Sequence, residues 1–196
     1  MNTVSAPTAK SVYSPLDLDR RSVAWQVGAV VVGTLFLALC SYIEVPMVPV
    51  PVTMQTFGVA LIGALFGWRL GAITVCAWLA EAAVGLPVLA GGAGGVQHFA
   101  GPTAGYLLAF PVCAALTGWL AEKGWNGKHP ILAFVSMLAS NGACLVIGAA
   151  WLAVLIGGEQ AVIHGVMPFL LGGVLKSGLG AAVLALGERG SRRAGQ

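Results

Sequence analysis

The chain has 196 residues, of which 58% are hydrophobic and only 9% charged, and it carries a formal net charge of +3. Ordinary soluble domains hold about 25% charged residues, so a chain this apolar, with a mean hydropathy of +0.88, is expected to have lipid as the solvent of its outer faces. The small positive charge includes no basic run interleaved with aromatics, which argues against a nucleic-acid surface.

The polar stretch Met1–Arg21 is rich in Ser, Thr, Pro and Asp, and residues 1–22 are expected to be a cytoplasmic tail rather than a cleaved signal. Six spans follow, near residues 23–43, 53–66, 70–84, 104–121, 130–156 and 166–187, close to the ~20 residues a crossing helix needs. The expected architecture is therefore an all-α integral membrane domain, a six-transmembrane-helix bundle over residues 23–187. A second cytoplasmic tail is expected at residues 188–196.

Nine of the ten Lys and Arg residues fall on one side of this drawing: Lys10, Arg20, Arg21, Arg69, Lys123, Lys128, Arg189, Arg192 and Arg193. The other three loops hold Glu44, Glu159, His98 and His164 instead. The positive-inside rule then places both termini in the cytoplasm, which requires an even number of spans. Trp25, Trp68, Trp119 and Trp125 cluster at the same ends, as interfacial anchors do. Trp78 and Trp151 lie deeper, where they would serve as core or pocket wall. Cys40, Cys76, Cys113 and Cys144 are far apart, lack a CxxC pair and read as free buried cysteines.

Two external segments are unusual. Residues 44–52 read EVPMVPVPV, whose three prolines forbid helix. Residues 85–103 read GLPVLAGGAGGVQHFAGPT, too apolar for a free loop and too Gly-rich for a helix. Irregular backbone at membrane depth is tolerated where it packs in protein or lines a cavity, so both segments are expected to cap a ligand cavity. The Gly91–Gly95 run lacks the residues of a phosphate loop and reads as a close-packed turn.

Lys176 is the tenth basic residue and lies about ten residues into the last span, where an ammonium costs about 2.5–3.5 kcal/mol on insertion scales. Two readings stand: an ion pair with Glu81, the one acid within a span, or capture of an anionic substrate. Asn141 and Gln55 are amides among apolar neighbours. They read either as inter-helix hydrogen bonds or as contacts to a ureide- or amide-containing ligand. Ala29, Gly33, Thr34 and Ala38 put small residues on the first span, for packing within the bundle or for docking another membrane subunit.

The motifs PVPVTMQTFGV (residues 49–59), GLPVLAGGAGG (85–95), GPTAGYLLAF (101–110) and MPFLLGGVLK (167–176) together resemble the BioY family of biotin-specific substrate-capture (S) components of energy-coupling factor transporters. The resemblance covers essentially all of the chain after the tail. It implies a multi-pass cell-membrane protein that binds biotin at its external side, with no cofactor. Its partners would be a transmembrane coupling subunit and ATPase subunits, besides membrane lipid. It assigns Lys176 to a polar group of biotin such as the carboxylate. Thr53, Gln55, Gly91, Gly92, Tyr106 and Asn141 are further candidates for the pocket, and Glu81 for a charge partner within it. Thr34 and Ala38 match the spacing used for subunit docking. One departure stands out: the family's Asp three residues before the lysine is Gly173 here.

The chain contains no nucleotide-binding motif and is not expected to hydrolyse ATP alone. An S component for another vitamin and a stand-alone biotin transporter are the alternatives within transport. A membrane enzyme using Glu81, His98 or His164 lacks any nucleophile–base or metal spacing. A purely structural subunit leaves the cost of Lys176 unexplained.

Overall fold

The structure, a computed structural model, describes residues 21–194 together with Leu16, with side chains through residue 190. Most of the expected N-terminal tail, with Lys10 and Arg20, lies outside the described residues, as do the side chains of Arg192 and Arg193. Helix α1 (Val23–Tyr42) leads into a two-stranded antiparallel pair, β1 (Glu44–Val45) and β2 (Val52–Thr53). There follow α2 (Gln55–Ala83), α3 (Ala104–Glu122), α4 (Pro130–Ile156), the short α5 (Gly158–Gly165) and α6 (Met167–Ala194). Residues 188–194, expected as tail, continue α6.

Among the described residues five helical stretches are long and apolar enough to cross a membrane, the last taking in α5 and α6 together. Six were expected. The difference lies in α2, where the second and third expected spans form a single element broken at Gly67, with φ 80° and ψ 172°. That φ is open to glycine at little cost. The break reverses the chain: a Cβ on Gly71 would lie 2.9 Å from Gly63 Cα, whereas eight residues of unbroken helix would hold the two about 12 Å apart. Residues 55–66 and 68–83 are each shorter than the ~20 residues of a full crossing, so neither half meets that length alone.

Gly63 also sets how closely the hairpin meets α3, since a Cβ there would fall into the Ala114 carbonyl. The α2–α3 pair is the most extensive helix contact in the protein. Around it Leu37, Val59, Ile62, Val75, Trp78 and Phe110 form the principal core. The outer faces stay apolar: Val32 and Leu39 of α1 and Leu171 and Leu175 of α6 are all more than three-fifths exposed. A helix apolar on both faces suits a bundle wrapped in lipid. Cys40, Cys113 and Cys144 are buried and free as expected, but Cys76 is exposed on the outer face.

One end of the bundle gathers the basic residues. Phe66, beside the hairpin tip, shares a groove with Arg21 and Trp25 of the α1 end. Glu122, at the end of α3, accepts the Trp68 N–H at 3.0 Å. Gly127 packs against the Leu184 carbonyl of α6. Arg21, Arg69, Lys123, Lys128 and Arg189 therefore share this end. Arg69 lies over the Trp68 ring at 5.0 Å and Lys123 over Trp119 at 3.5 Å, the amphipathic arrangement of an interfacial belt.

Candidate functional site

The irregular segments lie at the opposite end, and backbone-directed bonds hold them in place. The first strap, residues 44–53, is tied down by the β1–β2 pair and by Met54 N–H donating to Ile43 O at 2.9 Å. The second, residues 85–103, is fastened by side chains from three helices. Tyr42 Oη donates to Pro87 O at 2.6 Å, Trp78 Nε1 to Val88 O at 3.1 Å and Trp151 Nε1 to Gly101 O at 2.9 Å. Trp78, fully buried and stacked on Phe110 at 5.9 Å, is thus both core and anchor.

Beneath the straps is a cavity of about 450 Å³. Its walls include Val50, Leu89, Leu107, Phe110, Leu145 and Phe169, and its polar lining includes Thr53, Gln55, Thr56, Asn141 and Lys176, with Gln97, His98 and Thr103 on the strap side. This is the usual composition of a small-molecule pocket, mostly apolar with a few placed polar groups. Lys176 is the one Lys, Arg, Asp or Glu in the described lining.

Lys176 is 8% exposed. Its Nζ donates to Thr53 O at 2.9 Å and to Thr56 Oγ1 at 3.1 Å, and neither acceptor carries charge. An ammonium has three donors, so one N–H remains. Glu81, the partner considered from the sequence, is half-buried in the last turn of α2 and does not line the cavity.

The amides divide their roles. Gln55 is used within the protein: its Oε1 accepts from Thr53 Oγ1 at 2.9 Å, and its Nε2 donates to Ser41 Oγ at 3.1 Å. This chain of bonds locks β2 and the start of α2 to α1. Asn141 Nδ2 donates to Met137 O at 3.0 Å and to Ser177 Oγ at 3.1 Å. Its Oδ1 accepts no hydrogen bond among the described residues and remains an open acceptor on a residue of the cavity wall.

Tyr106 lines the cavity with its ring, which stacks on Phe169 at 6.1 Å, and its hydroxyl donates to Gly165 O at 2.8 Å. That bond ties α3 to the α5–α6 junction. Tyr106→Phe is expected to cost about 1 kcal/mol, which lowers the unfolding midpoint in detergent by roughly 2–4 °C; an unchanged midpoint in a thermal scan contradicts this role.

Several expected residues stand elsewhere. Gly91 and Gly92 do not line the cavity; their left-handed φ values of 64° and 70° make the turn that packs on Glu44 and Tyr42. The neighbours Leu89, Ala90 and Ala93 face inward instead. Thr34 is 3% exposed and donates to Val31 O within its own helix, so it packs inside the bundle, while Ala38 is half-buried. At Gly173 a Cβ would meet Asn141 Cβ at 3.9 Å, so the position is roomy. Residues missed in the sequence include Thr56, Gln97, Cys144 and Phe169, all in the lining. Helical period could have found two of them. Cys144 follows Asn141 by three, and Phe169 precedes Lys176 by seven.

The sequence and the fold resemble those of known proteins. A family model described as the BioY family matches residues 12–193. A probable biotin transporter BioY of Pyrococcus horikoshii is 35% identical over 158 residues, covering 79% of this chain and 91% of that protein. A biotin transporter BioY of Rhizobium etli is 39% identical over 148 residues, covering 72% and 79%. The fold is also similar to a crystal structure of the S-component for biotin from an ECF-type ABC transporter. The TM-score is 0.76 at 26% identity, covering 86% of this chain and 95% of that one.

Proposed function

The chain belongs to the BioY family, and from that membership we propose that it is the biotin-capture component of an uptake system, holding one biotin in the cavity beneath its two straps. It is a transporter component and not an enzyme. The observation that carries the reading is the cavity's polarity pattern: mostly apolar walls with a few placed polar groups, among them an open amide acceptor at Asn141 and the ammonium of Lys176. Biotin presents the matching groups, an apolar ring and chain between a ureido head and a carboxylate. Asn141 Oδ1 accepts a ureido N–H and Lys176 donates to the carboxylate.

Asn141→Leu is expected to weaken biotin binding by about tenfold, because a buried ureido N–H left without its acceptor costs about 1–3 kcal/mol. Equal affinity for both proteins in a titration would remove Asn141 from the site.

We count the two arms of α2 as separate crossings, which gives six with both termini on one side. The end holding Arg21, Arg69, Lys123, Lys128 and Arg189 is then cytoplasmic, and the cavity faces outward. Tagging either terminus and probing its access from outside intact cells tests that orientation.

Energy for import comes from a separate ATPase and coupling module that contacts the lipid-exposed side of the bundle. With Thr34 turned inward, the accessible face of α1 is the one bearing Val27, Val31, Leu35 and Leu39. Uptake of labelled biotin tests the whole reading. It is expected to be abolished by excess unlabelled biotin, to resist other vitamins, and to depend on co-expressed ATPase subunits. Competition by another vitamin as strong as by biotin would overturn the substrate. Uptake without ATPase subunits would make the chain a stand-alone transporter.

A further inference from the structure

Thr56 occupies an unusual place in the cavity. Its Oγ1 accepts the Lys176 ammonium at 3.1 Å, yet among the described residues its own O–H donates to no protein group. A threonine near a helix start ordinarily turns that proton to a backbone carbonyl or a cap partner. Here the hydroxyl borders the cavity with its donor unused. Lys176 is in a comparable condition: two of its N–H groups are fixed, by Thr53 O and Thr56 Oγ1, and the third has no acceptor among the described residues.

Two unused donors, an N–H of Lys176 and the O–H of Thr56, thus belong to atoms 3.1 Å apart at one wall of the cavity. A carboxylate is the complementary group. It accepts only, and it offers two oxygens to two neighbouring donors. The carbonyl of an amide offers a single oxygen and no charge. Its NH₂ would face the remaining donor, with nothing to accept from it.

We propose that Thr56 is a ligand-binding residue that completes, with Lys176, a two-donor clamp on the substrate's carboxylate and makes the protein selective for the free acid over its amide. This rests on the biotin reading above and specifies its charged end. Because Thr53 O and Thr56 Oγ1 hold the flexible lysine before the ligand arrives, the clamp is preorganised, and less side-chain freedom is lost on binding.

The experiment compares the purified wild-type chain with Thr56→Val and Thr56→Ser, titrating each with biotin and with biotin whose carboxyl is capped as the primary amide. Wild type is expected to prefer the acid by at least about tenfold, as a charge-assisted bond implies. Thr56→Val should lose biotin affinity by about threefold to tenfold, the worth of one net hydrogen bond, while its amide affinity holds. Thr56→Ser should restore the preference. The retained amide binding shows that the variant is folded, and Thr56→Ala serves identically if the valine protein does not fold.

Equal losses for acid and amide, or unchanged biotin affinity in Thr56→Val, would overturn the clamp. So would a wild type that binds both ligands alike. A wild type that binds neither ligand would overturn the biotin reading itself. If Lys176→Met erases the preference and Thr56→Val keeps it, the lysine stands and Thr56 falls.

Discussion

Lys176→Met is expected to weaken biotin binding by about tenfold to a hundredfold, with little change in folded yield. A hydrogen bond to a charged group contributes about 1.5–3 kcal/mol, and each 1.4 kcal/mol is about a factor of ten in affinity. Methionine keeps most of the stem's volume and flexibility, so the cavity wall is preserved. The cost to the fold is small because the variant removes a buried charge whose hydrogen-bond partners among the described residues are Thr53 O and Thr56 Oγ1. Burying an ammonium against neutral acceptors is itself expensive in a bilayer, so the unfolding midpoint in detergent is expected to hold or rise. Affinity in Lys176→Met equal to wild type, measured on folded protein, would show that the ammonium serves structure alone.

Gly63→Val is expected to produce the largest loss of stability. The first arm of α2 lies so close to α3 that a Cβ on Gly63 would occupy the Ala114 carbonyl, and the returning arm brings Gly71 against the same residue. The obstacle is α3 backbone and not a side-chain tip that can rotate aside, so this arm and α3 must separate. Overpacking of this kind costs about 3 kcal/mol or more, which lowers the unfolding midpoint by roughly 6–12 °C in a chain of this size. Displacing the first arm from α3 would also shift Thr53 and Thr56, at the start of α2, away from Lys176. Biotin affinity should therefore fall with the midpoint. A variant as stable as wild type would contradict the close approach.

The sequence made the broad architecture legible because lipid penalises charge so steeply. Nine basic residues confined to one side defined the loops, and the five of them with described side chains, from Arg21 to Arg189, share one end of the bundle. The same penalty singled out Lys176, which does line the cavity. The prolines at residues 46–51 and the glycines at 85–95 marked the straps, since neither composition can sustain a helix. What the sequence left open was direction. A glycine pair such as Gly91–Gly92 can line a pocket or turn a strap away from it, and composition is the same in both cases. Here the turn packs on Glu44 and Tyr42, leaving Leu89 and Ala93 to face inward.

Register had a similar effect on the polar residues. Gln55 and Asn141 looked alike as amides in apolar spans, yet Gln55 is absorbed by Thr53 and Ser41, while Asn141 retains an acceptor. Glu81 was conspicuous as the one acid in a span, but its place at the end of the α2 hairpin keeps it out of the lining. The hairpin also explains the count of five long apolar stretches: Gly67 joins two arms, each too short to register alone as a crossing. Arg69 had marked the turn correctly, because a charge in a tight reversal reaches the interface.

The most direct measurement is isothermal titration of the purified chain, without any ATPase or coupling subunit, with biotin. Capture by the cavity under the two straps predicts saturable binding of one biotin per chain at submicromolar to micromolar ligand, sharply weakened in Lys176→Met. Absence of binding at micromolar biotin by folded protein would contradict it.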